Sequence, residues 1–305
     1  MSLLKPNRIV LHCGLHKTGS TYVQRNLQRN RVLLLKQGVL YLGPNTFKKS
    51  CPELWRHMQV GDESGKTTTI LQSQTNSSLL ELAGDNPGEI HTIVLSFEAI
   101  FGTLRNGFTH NRRKEAPNKE DSTGLYRYAK SRTNRLMSGL QDSLQHRGIE
   151  WTVLFASRDR EDFIRSCHTQ LIKQGIHTPD TKDFDTFRET ADFSYTNPQR
   201  LEKTLLELRG EHDLRVVVID YEKASNPKEP STLLWNVLKQ ALPQQAELIR
   251  QQLEANNDDN KLNQTPNPGL NDRGLAIAIQ ACSLFSHDEW KLFRKFLEKN
   301  FAKTV

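Results

Sequence analysis

Residues 7–24 read NRIVLHCGLHKTGSTYVQ, and this stretch decides the fold. Ile9-Val10-Leu11 is a short apolar run suited to a buried strand. Gly14 to Thr21 follows as a turn rich in small and hydroxyl residues. From Thr21 the spacing becomes helical, with Val23, Leu27 and Leu34 on one face, interrupted by polar Asn30. Strand, glycine-bearing turn and helix in that order make an anion site. The first N–H groups of a helix lack internal partners, and the macrodipole places partial positive charge there. Lys17 adds a full charge, and Thr18, Ser20 and Thr21 add hydroxyl donors. The stretch reads as a cradle for phosphate or sulfate.

A nucleoside-triphosphate loop needs glycine just before its Lys and another five residues earlier, so that the backbone can wrap the phosphates. Those positions hold His16 and Leu11, and the glycine lies two residues after the Lys instead. The cradle is therefore of another kind, and the rest of the chain has to say which.

Further apolar runs mark further strands: Gly38 to Gly43, Thr92 to Ser96, Glu150 to Ser157 and Leu214 to Tyr221. Helical spacing appears at Leu125–Arg147, at Glu161–Gln174 through Phe163, Cys167 and Leu171, from Pro198 to Arg209, and at Leu233–Leu242. A final helix opens on Ser286-His287-Asp288-Glu289, a capping-box pattern, and is expected to bury Trp290, Phe293, Leu297 and Phe301. Residues 44–90 read as a polar, irregular insertion with a helical piece around Leu79 to Ala83, and 106–122 as a second, basic polar loop. Alternating strands and helices predict an α/β chain with a mainly parallel central sheet covered on both faces. No composition break or internal repeat divides it, so residues 1–305 are expected to form a single domain.

Charged residues at 25% and hydrophobic residues at 36% fit a globular chain with a real core. No apolar run approaches the ~20 residues that span a bilayer. The N-terminus runs straight into the first strand, so no export signal is expected and a cytoplasmic location is. Cys13, Cys51, Cys167 and Cys282 are far apart and form no metal-ligand spacing; they read as reduced thiols, and no metal site is expected. The net charge of +7 favours anionic ligands. Basic residues cluster at Arg112-Arg113-Lys114 and from Arg127 to Arg135, but acidic residues are interspersed and no nucleic-acid module is present. A solvated face or a surface for an anionic substrate is the better reading.

In open α/β sheets ligands bind at the carboxyl ends of the strands. The Lys17 cradle, Glu98 and Arg158 all fall on such ends. Arg158 is followed eight residues later by Ser166, which offers a guanidinium fork and a hydroxyl from the following helix.

Lys17-Thr18-Gly19-Ser20-Thr21, with Arg158 and Ser166 downstream, resembles the sulfotransferases that use 3′-phosphoadenosine 5′-phosphosulfate (PAPS). The core of their 5′-phosphosulfate loop reads Lys-Ser/Thr-Gly-Thr/Ser-Thr. The longer string, from His12 and Gly14 through His16, is similar to bacterial members. The likeness extends to the strand ending near Glu98 and to Val216–Glu222 (VVVIDYE). It implies a three-layer P-loop fold and transfer of a sulfuryl group to a hydroxyl or amine by in-line displacement, leaving adenosine 3′,5′-bisphosphate and needing no metal.

Carried over by position, Lys17 contacts the 5′-phosphate and the bridging oxygen. Thr18, Gly19, Ser20 and Thr21 cradle the phosphosulfate, His16 helps to position it, and Arg158 and Ser166 bind the 3′-phosphate. Tyr22 stands where some members carry an adenine-stacking Trp, or else packs in the core. The family's C-terminal Arg-Lys-Gly loop is missing; Lys261 or Arg273 could substitute. Glu98 is the first candidate for the general base, its proton affinity raised by Phe97 and Phe101, or else it orients a neighbouring loop. His57 and His110 are the alternatives. The two polar insertions are expected to form an acceptor site suited to a glycan or another polar metabolite. Two competing readings are an ATP-dependent kinase and a non-catalytic nucleotide-binding protein.

Overall fold

The computed structural model describes residues 3–60, 69–108, 124–176, 178–225, 231–255 and 269–302. Among them the strands are β1 (Arg8–His12), β2 (Val39–Leu42), β3 (Thr92–Ser96), β4 (Glu150–Ser157) and β5 (Asp213–Asp220). They form one sheet in the order β2-β3-β1-β4-β5. Every pairing is parallel, with Leu11 opposite Leu95 on one side and Val153 on the other. All carboxyl ends therefore open on the same edge, and the turn after His12 sits at its centre.

Side chains alternate between two cores because a strand has period two. Ile9, Leu11, Ile93, Leu95, Val153 and Phe155 enter one cluster. Val10, Val94, Leu154 and Ala156 enter the other. Strands that are apolar on both faces require helices on both faces. One face is covered by α1 (Ser20–Arg29), α2 (Arg31–Lys36), α12 (Ser231–Ala241) and α13 (Ala246–Ala255). The other is covered by α3 (Pro44–Ser50), α4 (Pro52–Val60), α5 (Thr69–Ala83), α6 (Leu104–Phe108), α7 (Ala129–Leu144), α8 (Arg160–Lys173), α9 (Phe184–Thr190) and α10 (Pro198–Leu206). This is a three-layer α/β fold. A short helix, α11 (Tyr221–Ala224), follows β5, and a hairpin of α14 (Asp272–Ala281) and α15 (His287–Asn300) packs on Ile172 of α8 through a third cluster.

Residues 44–90 are not an irregular insertion. They hold α3, α4 and α5, and α4 and α5 pack with α7 in the second helical layer. Pro44 and Pro52 stand at the first positions of their helices, where a missing N–H costs nothing. The helical piece expected around Leu79 to Ala83 is the end of α5, which buries Leu71, Thr75, Leu79 and Ala83 at a spacing of four, so packing extends the helix back through Thr and Ser residues of weak intrinsic propensity. The 106–122 loop lies mostly outside the described residues; Asn106 to Phe108 ends α6.

Smaller departures have similar causes. The first helix stops at Asn30, and Leu34 belongs to α2. The long helix begins at Ala129, after a turn in which Tyr126 has φ 67°, and ends at Gln145 in the left-handed region. Tyr221 opens a helix rather than closing a strand. Ser286 and Glu289 form the expected capping box, but Phe293 and Phe301 are only half-buried beside the buried Trp290 and Leu297.

Candidate functional site

The cradle is built by backbone geometry first. Cys13 N–H donates to the Leu154 carbonyl at 2.8 Å, which pins the loop to β4. Lys17 has φ 66° and Gly19 φ 74°, so the chain turns twice through the left-handed region before α1 begins. Gly19 is required by its surroundings as well, because a Cβ there would collide with Leu233 and touch the Tyr221 ring. The Thr18 hydroxyl donates to the Leu15 carbonyl at 2.7 Å, and the Ser20 hydroxyl oxygen lies 3.3 Å from the same carbonyl. These two hydroxyls are buried and hold the loop's shape. Among the described residues, no acceptor meets the N–H groups of Lys17, Gly19, Ser20 or Thr21. A run of N–H groups at a helix start, with no partner in the chain, is a concave anion site.

Arg158 and Ser166 meet as their spacing implies. Arg158 Nη1 donates to Ser166 Oγ at 3.1 Å and to the Lys17 carbonyl at 2.9 Å, joining the end of β4 to the cradle. Its Nη2 lies 3.7 Å from Asp162, and its buried Nε has no partner. The guanidinium also sits over the Tyr221 ring at 5.4 Å. On the same face of α8, Gln170 Oε1 accepts from Lys17 Nζ at 3.5 Å. One turn on, the buried Lys173 pairs with Glu298 of α15 at 2.8 Å. Burial lowers the Lys17 pKa, and the nearby Lys173 charge lowers it further. Positive charge is crowded here, which favours an anionic ligand.

Glu98 closes the other side. Its carboxylate accepts from His16 Nδ1 at 3.1 Å, while His16 Nε2 lies 3.2 Å from the Gly102 carbonyl. The His16 N–H donates to the Tyr126 hydroxyl at 2.8 Å. Desolvation pushes the Glu98 pKa up, but hydrogen bonds from His16 and Ser20 and the neighbouring His charges outweigh it. The net shift is downward, the reverse of the effect expected from Phe97 and Phe101. Beneath the pair, His12 is buried and bonded through Nδ1 to Ser96 Oγ at 2.7 Å; desolvation lowers its pKa to about 4.

The structure thus gathers His16, Lys17, Thr18, Gly19, Ser20, Glu98, Arg158 and Ser166. Thr21 is exposed on the first turn of α1. Tyr22 is not available for stacking: its ring is buried between α1 and the sheet, with the hydroxyl unpartnered. His57 is removed as a candidate base. Trp55 packs on Phe97 with ring centroids 4.6 Å apart, and residues two apart on a helix point in opposed directions. His57 therefore faces α7, against Gly139. Arg273 stacks over Phe301 within the C-terminal hairpin. His110 and Lys261 lie outside the described residues. Tyr221, Tyr126 and Gln170 were not singled out from sequence. Tyr221 follows a strand's carboxyl end, which was the available signal; Tyr126 and Gln170 carried none.

No family model and no curated protein matches this chain. Among solved structures it is similar to a chain from the PezAT chromosomal toxin–antitoxin system of Streptococcus pneumoniae, at 13% identity and a TM-score of 0.27 over 85% of this chain and 86% of that one.

Proposed function

We propose that this protein is a PAPS-dependent sulfotransferase acting on a hydroxyl or amine of a polar acceptor, a carbohydrate or a similar metabolite. The observation that carries the reading is the joining of two separate sequence signals in one site. The Lys17–Thr21 loop and the Arg158–Ser166 pair lie 141 positions apart at Lys17 and Arg158, yet are linked by a direct hydrogen bond. The residues present also fit the donor. The N–H run at Lys17–Thr21 suits a phosphosulfate, and the unpartnered Arg158 Nε with the Ser166 hydroxyl suits a 3′-phosphate.

The donor supplies an activated sulfuryl group and a bisphosphate leaving group. Lys17 and the start of α1 place positive charge where the leaving oxygen becomes negative, and such preorganised charge needs no rearrangement during reaction. Arg158 holds the loop through the Lys17 carbonyl and, with Ser166, offers the 3′-phosphate a guanidinium and a hydroxyl. Glu98, kept ionised by His16 and Ser20 and 24% exposed, takes the proton from the acceptor at a carboxylate oxygen. His16 fixes the direction of that carboxylate.

The test is a thermal-shift titration with adenosine 3′,5′-bisphosphate, ATP–Mg²⁺ and 5′-AMP. The expected result is stabilisation by the bisphosphate alone, ~2.7 kcal/mol at a hundred times Kd, lost in Lys17→Ala. Stabilisation by ATP–Mg²⁺ instead would assign the cradle to a kinase. Binding of the bisphosphate with no transfer from PAPS to any of a panel of glycans, amino sugars and phenols would make the chain a non-catalytic nucleotide binder.

A further inference from the structure

Helix α7 carries a cation that the reaction above does not use. Arg132 is 8% exposed, and its buried Nε has no hydrogen-bond partner. Among the described residues no carboxylate pairs with it. The charge that acts on it at neutral pH is Arg135, one turn along the same helix. Desolvation, helped by Arg135, lowers its pKa to about 10. Arg135 differs, because its Nε and Nη2 both donate to the Met58 carbonyl, at 3.1 and 3.0 Å. A guanidinium taken out of water without a counter-charge destabilises the fold, so such a group persists where something else supplies the charge.

The position of Arg132 says what could reach it. Gly102 has φ 148°, and a Cβ there would stand 3.7 Å from Arg132 Nη1 and 3.7 Å from Tyr126 N. The Gly102 carbonyl is the group facing His16 Nε2, and the Tyr126 hydroxyl accepts from the His16 N–H. The guanidinium tip therefore lies one residue behind the His16–Glu98 pair. Glycine at 102 leaves it without side-chain cover on that side. The order β2-β3-β1 places Glu98 and Gly102 after β3 and the cradle after β1, so both border the crevice between adjacent strand ends.

We propose that Arg132 is the anchor for a carboxylate carried by the acceptor, held beside Glu98 while the acceptor's nucleophile faces the cradle. The inference rests on the sulfotransferase reading and narrows its substrate class to anionic acceptors. A single unpartnered fork suits a planar monoanion, whose two oxygens match two parallel N–H donors. A second phosphate-like dianion would call for more than one cation, and the Arg135 fork is already engaged.

The experiment uses the full chain and sodium glucuronate as probe, with D-glucose, glucose 6-sulfate and sodium chloride at matched ionic strength as controls. Glucuronate is expected to give a saturable rise in Tm of about 2 °C or more, with no rise from glucose or chloride. Arg132→Met is expected to be at least as stable as wild type without ligand, because it removes an unpaired buried charge, and to lose the glucuronate response. Arg132→Lys keeps the charge but not the fork, and is expected to lose most of that response. A marked fall in the Tm of Arg132→Met without ligand would show that the guanidinium is satisfied inside the chain, and would overturn the proposal. So would a glucuronate response retained in both variants, a response to glucose 6-sulfate alone, or no response in wild type. The two readings separate in the same plate: adenosine 3′,5′-bisphosphate should still stabilise both Arg132 variants, and its failure to stabilise wild type would count against the sulfotransferase rather than against the carboxylate site.

Discussion

Arg158 Nη1 donates at once to the Lys17 carbonyl, 2.9 Å away, and to Ser166 Oγ at 3.1 Å. One side chain thus braces the loop that holds one end of the proposed donor and forms part of the site for the other end. Ser166→Ala removes one neutral partner and should weaken adenosine 3′,5′-bisphosphate binding about fivefold. Arg158→Ala should weaken it by a further factor of about ten, and Arg158→Lys should not restore it, since an ammonium cannot reach the Lys17 carbonyl and the ligand in one plane. The double variant should lose less than the sum of the two single losses. Calorimetric titration of the four variants checks this; strict additivity of Ser166→Ala and Arg158→Ala would mean that Arg158 and Ser166 do not share a ligand.

The lowered Lys17 pKa gives affinity and stability opposite responses to pH. The folded protein releases the Lys17 proton below the ordinary value of 10.5, chiefly because of burial and Lys173. An anionic ligand needs the charged form, so bisphosphate affinity should fall as pH rises through the folded pKa. Between the folded and unfolded values the unfolded chain binds more protons, so this group's contribution to stability rises with pH. Titrations on the alkaline side, up to the ordinary value of 10.5, should show both trends in wild type and neither in Lys17→Met.

Acid should unfold the protein partly through His12. Its folded pKa of about 4 lies below the unfolded value of 6.5, so the unfolded state takes up a proton first as pH falls. Stability from this group is present above pH 6.5 and is lost progressively down to about 4, amounting to about 3 kcal/mol. Urea melts at neutral and acidic pH should show that loss in wild type and a much smaller one in His12→Asn. Equal acid sensitivity in the two proteins would place the effect elsewhere.

Lys173 and Glu298 tie the C-terminal hairpin to the helix that carries Ser166 and Gln170. Glu298→Gln leaves a buried ammonium without its carboxylate and should destabilise the protein by about 2 kcal/mol, discounted because Glu298 is partly exposed. Adding Lys173→Met should recover most of that loss. The Trp290 indole N–H donates to the Lys173 carbonyl at 3.1 Å, so the hairpin stays attached in both variants. Thermal unfolding of the single and double variants decides it; a double variant no more stable than the single one would show that packing, not charge, sets the cost.

What was legible in the chain is the local part of the fold. Short apolar runs such as Ile9–Leu11 and Ile93–Leu95 declare buried strands, because a strand covered on both faces reads as a continuous apolar run rather than an alternation. Pro198 at a first turn and the Ser286–Glu289 capping box declare helix starts from residues close in the chain. The cradle was legible for the same reason, since Lys17 to Thr21 are consecutive. By contrast the first part of α5 was hidden, because Thr75 and Asn76 look like loop residues until a neighbouring helix buries them; only its end, Leu79 to Ala83, was legible.

The sequence by itself determined the parallel α/β plan, the glycine-bearing turn into α1 and the eight-residue pairing of Arg158 with Ser166, all set by spacings within one or two elements. Only the tertiary structure decided which distant groups share a site. It turned Tyr22 inward and His57 toward α7, brought Tyr126 and Gln170 to the cradle, and left Arg132 buried beside Gly102. It also reversed the expected sign at Glu98. The apolar neighbours Phe97 and Phe101 are visible in the chain, but the hydrogen bond from His16, 82 positions away, exists only once β1 and β3 lie side by side. A pKa is set by whatever stands within a few ångströms of the charge, and only the sheet's strand order fixes that.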